Sequence, residues 1–135
     1  MQTTPEDVGL LLEMIYQCSQ GGGTLLVAFP GRFTPEECQL MIDIMKSNVI
    51  TDAEGIPTLL RGGLPPDTPF AHKHGWDYDT RADASIAFTP GGEFVLVVFV
   101  NTPNAWVEWD VANDIMVDMA RAAYNYFNPP HAVSQ

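Results

Sequence analysis

The sequence predicts an α+β fold, in which a three-stranded antiparallel meander sheet over residues 70–101 is flanked by helices. Helix-start signals, each followed by apolar residues at helical spacing, occupy residues 4–48 and 104–128. Between them lie three short strand-like runs joined by brief turns, and brief turns join antiparallel neighbours. Residues 1–135 are of single-domain length, so we interpret the whole chain as one domain.

The first two helices share a start signal. Residues 4–7 read TPED and residues 34–37 read TPEE, which supply a capping Thr, a Pro for the first helical position and acids for the first turn. We expect the first helix to end at Gly21–Gly23 and the second near Ser47. The predicted apolar faces are Val8, Leu11, Leu12 and Ile15 in the first helix, and Leu40, Met41, Ile44 and Met45 in the second.

Two connecting segments are less regular. Residues 24–29 read TLLVAF and are a strand or a buried loop, which periodicity does not decide. Residues 51–69 are rich in Gly, Pro and Asp, so we expect an irregular connection with one helical turn around Ile56, Leu59 and Leu60.

The sheet follows. We predict strands at Phe70–Trp76, Ala84–Phe88 and Glu93–Asn101, with a polar turn over 77–83 and a tight turn over 89–92. The third strand is almost entirely apolar, so both of its faces should be buried.

The last helix is predicted to open at residues 102–104 (TPN) and to end at residues 128–130 (NPP). Its expected apolar face consists of Trp109, Ala112, Met116, Met119, Ala123 and Tyr126.

Charge and composition exclude several functions. The formal net charge is −11, and six Lys and Arg cannot build a stripe that follows nucleic-acid phosphates. An anionic membrane surface would repel the chain, and we expect neither nucleic acid nor membrane as a partner. Cys18 and Cys38 form no metal-binding spacing. We favour two buried thiols over a disulfide between them.

Localisation stays open. Polar residues, rather than a basic and apolar signal sequence, follow Met1. The protein is therefore intracellular, or an export signal belongs to a longer parent.

One hexapeptide carries a family resemblance. Residues 71–76 read AHKHGW, which resembles the Lys-Thr/Ser-Gly strand of the class A β-lactamase and penicillin-binding-protein superfamily. The surrounding segments resemble the same family: LLR and LP precede the strand, RADASI at 81–86 matches the next strand, and PGG with FVLVV over 90–98 matches the last. Residues 21–33 look like an insertion between two family helices.

The resemblance implies roles for four residues. Lys73 matches the lysine that helps to bind the substrate carboxylate, and Gly75 matches the glycine that leaves room for substrate. The backbone N–H of Trp76 matches the contribution of the strand to the oxyanion hole. His74 departs from the family Thr or Ser, which puts ordinary β-lactam recognition in doubt. A carboxylate-binding Arg of some members is replaced by Ala84.

Missing motifs limit what the chain does alone. The sequence has no Ser-x-x-Lys, no Ser-Asp-Asn and no Glu-x-x-x-Asn, so we assign no catalytic residue within it. The resemblance then implies the C-terminal portion of a serine hydrolase, whose parent acts on β-lactam or peptide-like amides through an acyl-enzyme. The alternative is a non-catalytic binding or interaction module that retained part of the fold.

Other interpretations of these residues are less chemical. Lys73 is also explained as a surface lysine, and the ring of Trp76 either stacks on a ligand or packs on its neighbours. His72 and His74 share a strand face, but zinc normally takes three or four protein ligands, so we expect no metal and no cofactor. A third ligand would have to come from Asp77, Asp79 or His131.

The third strand also predicts self-association. It is apolar on both faces, and an open apolar edge is a template for pairing. We therefore expect a homodimer, since two-fold dimers are the commonest closed assemblies.

Overall fold

The computed structural model describes residues 3–133 and confirms the α+β class. The sheet is an antiparallel meander in the order β1-β2-β3. None of the helices within the described residues is long and apolar enough to cross a membrane. The elements are α1 (Pro5–Ser19), α2 (Thr24–Ala28), α3 (Pro35–Lys46), α4 (Leu59–Gly62), β1 (Phe70–Trp76), β2 (Thr80–Thr89), β3 (Gly92–Asn101), α5 (Trp109–Phe127) and a 3₁₀ turn at Pro129–His131.

Both predicted helix starts form capping boxes. The Thr4 hydroxyl accepts from the Asp7 N–H at 3.1 Å, and the Asp7 carboxylate accepts from the Thr4 N–H at 3.0 Å. Thr34 and Glu37 repeat this exchange at the start of α3. Each box satisfies two backbone donors that a helix start would otherwise leave without partners, so the starts of α1 and α3 are locally determined.

The sheet separates two helical layers. Alternate residues of a strand point to opposite faces, and neighbouring residues of β1 accordingly enter different cores. Phe70 packs with Leu60 of α4 and Met116 of α5, whereas Ala71 packs with Leu12 of α1 and Ile42 of α3. The terminal helix therefore covers one face, as expected, and the N-terminal helices cover the other, a position that the sequence had left open.

The predicted apolar face of α3 is right only in part, because Met45 packs against the core and Met41 is half-buried, whereas the other two members face solvent. Cys38 and Ile42 are the buried residues of this helix, whereas Leu40 and Ile44 are 57% and 58% exposed. The helix is rotated so that Ile42 meets the sheet and Cys38 meets α1. Four apolar residues at helical spacing did not identify the buried side, because two of them face solvent.

The prediction of two buried thiols is also wrong, since Cys18 and Cys38 form a disulfide that joins α1 to α3. Segment 24–29, predicted as a strand or buried loop, contains the short helix α2 instead. Gly23 precedes this helix with a φ of 86°, which a glycine adopts without steric cost. Leu25 of α2 packs against the disulfide, while Val27 is 81% exposed.

Two element boundaries differ from prediction. The expected polar turn over 77–83 is shorter, because β2 already begins at Thr80. The last helix begins at Trp109 rather than near residue 103. Residues 102–107 lie along the β1–β2 turn instead, where the Thr102 N–H donates to the Asp79 carbonyl and the Val107 N–H donates to the Tyr78 carbonyl. The backbone bonds of this segment are thus made with the sheet, which delays the helix.

The prediction that both faces of β3 are buried holds only in part. Phe94 and Val98, which face α5, are buried, whereas most of the other apolar residues of β3 are half-buried. The single helix on each side covers the strand incompletely.

Candidate functional site

Strand β1 lies at one edge of the sheet, so half of its backbone groups point away from β2. The Phe88 N–H donates to the Pro69 carbonyl and the Asp77 N–H donates to the Thr80 carbonyl, which identifies these two pairs as hydrogen-bonded pairs. Such pairs alternate along an antiparallel ladder. The even-numbered residues of β1 therefore direct N–H and C=O outward.

After Phe70, the residues of β1 whose backbone groups point outward are His72, His74 and Trp76. The Asn48 side-chain amide donates to the His72 carbonyl at 3.1 Å, and the Lys73 ammonium donates to the His74 carbonyl at 2.5 Å. The first part of this edge is thus occupied by the protein itself. No group within residues 3–133 accepts from the outward N–H groups of His74 and Trp76, so both are available as donors on the last part of the strand.

Lys73 and Gly75 lie on the sheet face that α1 and α3 cover, next to this edge. The Lys73 side chain is exposed, and Ala84 is its partner in the β2 register. A Cβ at Gly75 would meet no atom within 4 Å, so packing among the described residues does not require a glycine there. The space next to Gly75 is open.

His74 and Trp76 lie on the opposite face, and their rings stack with centroids 5.4 Å apart and an interplanar angle of 8°. The outer face of Trp76 is free, since the residue is 65% exposed. Trp76 thus packs on its strand neighbour and still presents ring surface to solvent.

The pKa of His74 is lowered, first by burial of the ring and then by the positive charge of Lys73. The Nδ1 atom is buried without a hydrogen-bond partner among the described residues. Protonation would place an N–H at this atom with nothing to accept it, which agrees with the direction of the shift. His74 is therefore a neutral imidazole at neutral pH.

A buried polar pair connects β1 to β2 on the sheet face that α5 covers. The His72 Nδ1 lies 3.0 Å and 3.2 Å from the two carboxylate oxygens of Asp83, and both residues are at most 1% exposed. The Leu60 N–H donates to the same carboxylate at 3.3 Å. Asp83 therefore connects β1, β2 and the start of α4, and it fixes the strand that carries Lys73.

Arg81 serves the turn that closes the β1–β2 hairpin. Its guanidinium donates to the carbonyls of Asp77 and Thr80 and lies 4.6 Å from the ring centroid of Trp106. The side chain is only 4% exposed, so it is engaged in holding the hairpin and the segment before α5 together.

The histidines do not form a metal centre with their expected partners. Among residues 3–133, no three His, Cys, Asp or Glu side chains converge closely enough to hold an ion. The Nδ1 atom of His72 instead forms a hydrogen bond with the carboxylate of Asp83.

Sequence reasoning missed Asn48 and Asp83. Asp83 had a recognisable signal, because a lone carboxylate within the small and apolar run ADASIA requires a buried partner once the run is read as a strand. Asn48 had none, since its contact with His72 depends on where the end of α3 meets the sheet.

Comparison with known proteins identifies one family and several solved structures with a similar fold. A family model described as the Beta-lactamase enzyme family matches residues 1–127. No curated protein matches the sequence. Solved structures with a similar fold include PBP-A (23% identity, TM-score 0.70), the TLA-1 extended-spectrum β-lactamase (22%, 0.66) and a β-lactamase from Sphaerobacter thermophilus (20%, 0.62).

These matches include most of this chain but less than half of each solved chain. They cover 94%, 92% and 94% of this chain, in the same order, and 40%, 41% and 41% of the solved chains. The fold described above is thus about two fifths of the fold of each of those proteins.

Proposed function

The chain belongs to the β-lactamase enzyme family, and from that premise we propose that it forms one wall of a serine-hydrolase site for β-lactam or peptide-like amides. Lys73 attracts the substrate carboxylate, the N–H of Trp76 faces the carbonyl under attack, and Gly75 leaves room for the substrate. The observation that carries the proposal is the outer edge of β1, where these three groups adjoin.

The edge has the chemistry that this role requires. Its free N–H groups at His74 and Trp76 can donate to a carbonyl or carboxylate oxygen, and the Lys73 ammonium adds a positive charge beside them. A second structure of PBP-A is an acyl-enzyme complex with penicillin G, which is the chemistry that we carry over from that protein.

We infer that none of the serines within residues 3–133 acts as a nucleophile. The hydroxyls of Ser19, Ser47 and Ser85 donate to the backbone carbonyls of Tyr16, Ile44 and Leu96 at 2.7 to 2.9 Å. None of these hydroxyls has a Lys or His base as its hydrogen-bond partner, and activation of a serine depends on such a base. We therefore propose that the nucleophile of the complete site comes from another polypeptide segment.

The proposal has a direct test by NMR. Titration of the ¹⁵N-labelled chain with benzylpenicillin should move the backbone amide signals of His74 and Trp76, with weak affinity, on the order of 1 mM. Lys73→Ala should weaken this response, whereas Lys46→Ala, which removes the other lysine of the chain, should leave it unchanged.

Two results would contradict the proposal. Signals that move elsewhere while His74 and Trp76 stay fixed would place the ligand off the β1 edge. A mass increase equal to penicillin on any serine would show that the chain carries its own nucleophile.

A binding module without catalysis is the second candidate, and the packing of the chain favours it. Three clusters of buried side chains lie within the described residues, and a disulfide fixes α1 to α3. This candidate requires that the chain fold without the other three fifths of its relatives, and the three clusters and the disulfide are the observations that support it. Unchanged amide signals with β-lactams, together with a cooperative unfolding transition, would favour this candidate over the site wall.

A further inference from the structure

Three exposed aromatic side chains lie where the β1–β2 hairpin closes. Trp76 ends β1, Tyr78 lies in the turn that follows, and Trp106 lies in the segment before α5. They are 65%, 59% and 51% exposed, and we call these three residues the aromatic rim. Large rings are usually buried, so an exposed group of them marks a surface that contacts a ligand.

Contacts within the chain hold the aromatic rim in place. The Val107 N–H donates to the Tyr78 carbonyl at 3.2 Å, and the Tyr78 and Trp106 rings meet edge to face with centroids 5.8 Å apart. The buried Arg81 guanidinium lies 4.6 Å from the Trp106 ring centroid and donates to the Thr80 carbonyl. Because these contacts exist before a ligand binds, little further ordering of the rim is needed on binding.

Trp76 presents one free ring face toward the rest of the rim. His74 stacks on its other face, with nearly parallel planes and centroids 5.4 Å apart. His74 precedes Trp76 along the strand and Tyr78 follows it, so the free face looks along the chain toward Tyr78. Among residues 3–133, His74 is the only aromatic ring that stacks on this indole. The indole thus already accepts one flat, neutral ring and has room for a second.

The groups of the proposed site give the direction in which a bound substrate extends. Lys73, which attracts the carboxylate, comes first along β1, and the Trp76 N–H, which faces the carbonyl under attack, lies about 10 Å further along the strand. In a penicillin, the carboxylate and the acylamino group lie on opposite sides of that carbonyl. With the carboxylate at Lys73, the acylamino group therefore extends beyond Trp76, toward Tyr78 and Trp106.

We propose that the aromatic rim binds an aromatic ring in the acyl group of the substrate, which makes Trp76, Tyr78 and Trp106 specificity-determining residues. The preferred substrates are β-lactam or peptide-like amides whose acyl group ends in a phenyl-type ring. The inference rests on the proposed function, because it takes the positions of the carboxylate and the carbonyl from it. It adds the chemical class of the group that lies beyond them.

A substrate reaches the aromatic rim through the proposed site itself. The N–H that faces the carbonyl and the ring that stacks on the acyl group both belong to Trp76, so a substrate bound to the first is within reach of the second. Arg81 and Val107, which fix the other two rings, are buried within the chain. The inference therefore does not depend on which segments of the complete protein adjoin this chain.

The charges around the rim favour a neutral ring over an anionic one. Asp77 and Asp79 flank Tyr78 in the turn, and like charges repel an anionic acyl group. Arg81 is the nearby cation, but its guanidinium is buried and donates to backbone carbonyls. The rim therefore offers ring faces and no free positive charge among the residues that form or hold it.

Two penicillins test the proposal by NMR on the ¹⁵N-labelled chain. Benzylpenicillin has a phenyl ring in its acyl group, whereas 6-acetamidopenicillanic acid keeps the nucleus, the carboxylate and the amide without the ring. We expect benzylpenicillin to bind about three to ten times more tightly, which is the contribution of one aromatic pair. Only benzylpenicillin should move the indole N–H signals of Trp76 and Trp106. The indole signal of Trp109, which packs against the core, should stay fixed with both.

Two results of these titrations would overturn the proposal. Equal affinity for the two penicillins would mean that the ring makes no favourable contact. Tighter binding of benzylpenicillin while the indole signals of Trp76 and Trp106 stay fixed would mean that the ring binds away from the rim.

Variants assign the preference to the rim. Tyr78→Leu removes a ring outside β1, and Trp76→Leu removes the stacking ring, so each should bring the ratio of the two affinities close to one. Tyr126→Leu is the matched control, because Tyr126 is 78% exposed on α5 and lies outside the rim. It should leave the ratio unchanged. A preference that survives both rim variants, or that Tyr126→Leu also removes, would contradict the assignment.

The same titrations separate this inference from the proposed function. Lys73→Ala should weaken the binding of both penicillins by the same factor and leave their ratio unchanged. A response of the His74 and Trp76 backbone amides without a preference for the ring would refute the aromatic rim alone. No response of these amides to either penicillin would refute the proposed function, and the inference with it.

Discussion

The two edges of the sheet differ in length, in charge and in how far the protein itself covers them. The edge of β1 spans seven residues, and Asn48 and Lys73 occupy two of its outward carbonyls. The edge of β3 spans ten residues and carries apolar side chains at its outward positions. A short, polar and partly occupied edge suits a small polar ligand that binds reversibly. A long apolar edge suits a polypeptide that stays bound.

The largest effect should come from the polar pair that anchors β1. Asp83→Ala leaves the imidazole of His72 buried without its partner and removes the acceptor of the Leu60 N–H. Each buried donor left without an acceptor costs about 1–3 kcal/mol of unfolding free energy, and this variant leaves two of them. Urea denaturation followed by circular dichroism measures this loss.

The matched control is Asp118→Ala, which removes an exposed ion pair with Arg121. Exposed pairs contribute at most about 1 kcal/mol. Similar losses for the two variants would mean that β1 is not anchored from inside and would remove one difference between the edges.

A smaller effect should follow from exposing more of the β1 edge. Asn48→Ala frees the outward carbonyl of His72, and the lost hydrogen bond should lower the unfolding free energy by about 1 kcal/mol. Gln39→Ala removes an exposed contact on α3 with Asp43 and should change it little. An Asn48→Ala variant with an unchanged free energy of unfolding would show that this edge is as open as that of β3.

The smallest expected effect is the dependence of stability on pH that His74, at the β1 edge, contributes. Because the pKa of His74 is lower in the folded state than in the unfolded chain, the unfolded chain binds more protons below pH 6.5. Stability from this residue is therefore complete above pH 6.5 and falls as the pH drops toward the folded pKa. His74→Thr should remove that component, so urea midpoints of the two proteins should diverge from pH 7 to 5. Parallel midpoints would show that the ring titrates as in the unfolded chain.

Local signals predicted the parts of the fold that neighbours in sequence determine. Thr4 and Thr34 predicted the starts of α1 and α3, because all the hydrogen bonds of a capping box form within four consecutive residues. Strand β1 was predicted with its observed bounds, since the loop before it and the turn after it are marked by Pro and Asp. The family resemblance was confirmed by the match over residues 1–127, and the α+β class was confirmed by the structure.

Long-range contacts determined what the sequence did not show. The buried side of α3 depends on which elements lie beneath it, and Leu40 and Ile44 look as apolar as Ile42. The delayed start of α5 depends on the β1–β2 turn, which binds the preceding segment. The disulfide depends on how α1 and α3 pack, and the roles of Lys73 and Trp76 stay predictions until a ligand is bound.

The disulfide changes what a break in the chain would mean. Cys18 and Cys38 close a covalent loop that contains α2 and the glycines before it, where the chain is largely exposed. A cut of one peptide bond within this loop would break the main chain between α1 and the sheet. The disulfide would still hold the two pieces together as one molecule. The exposed part of this loop can therefore be lengthened or cut while α1 stays attached to α3, whereas Leu25 must keep its contact with the disulfide.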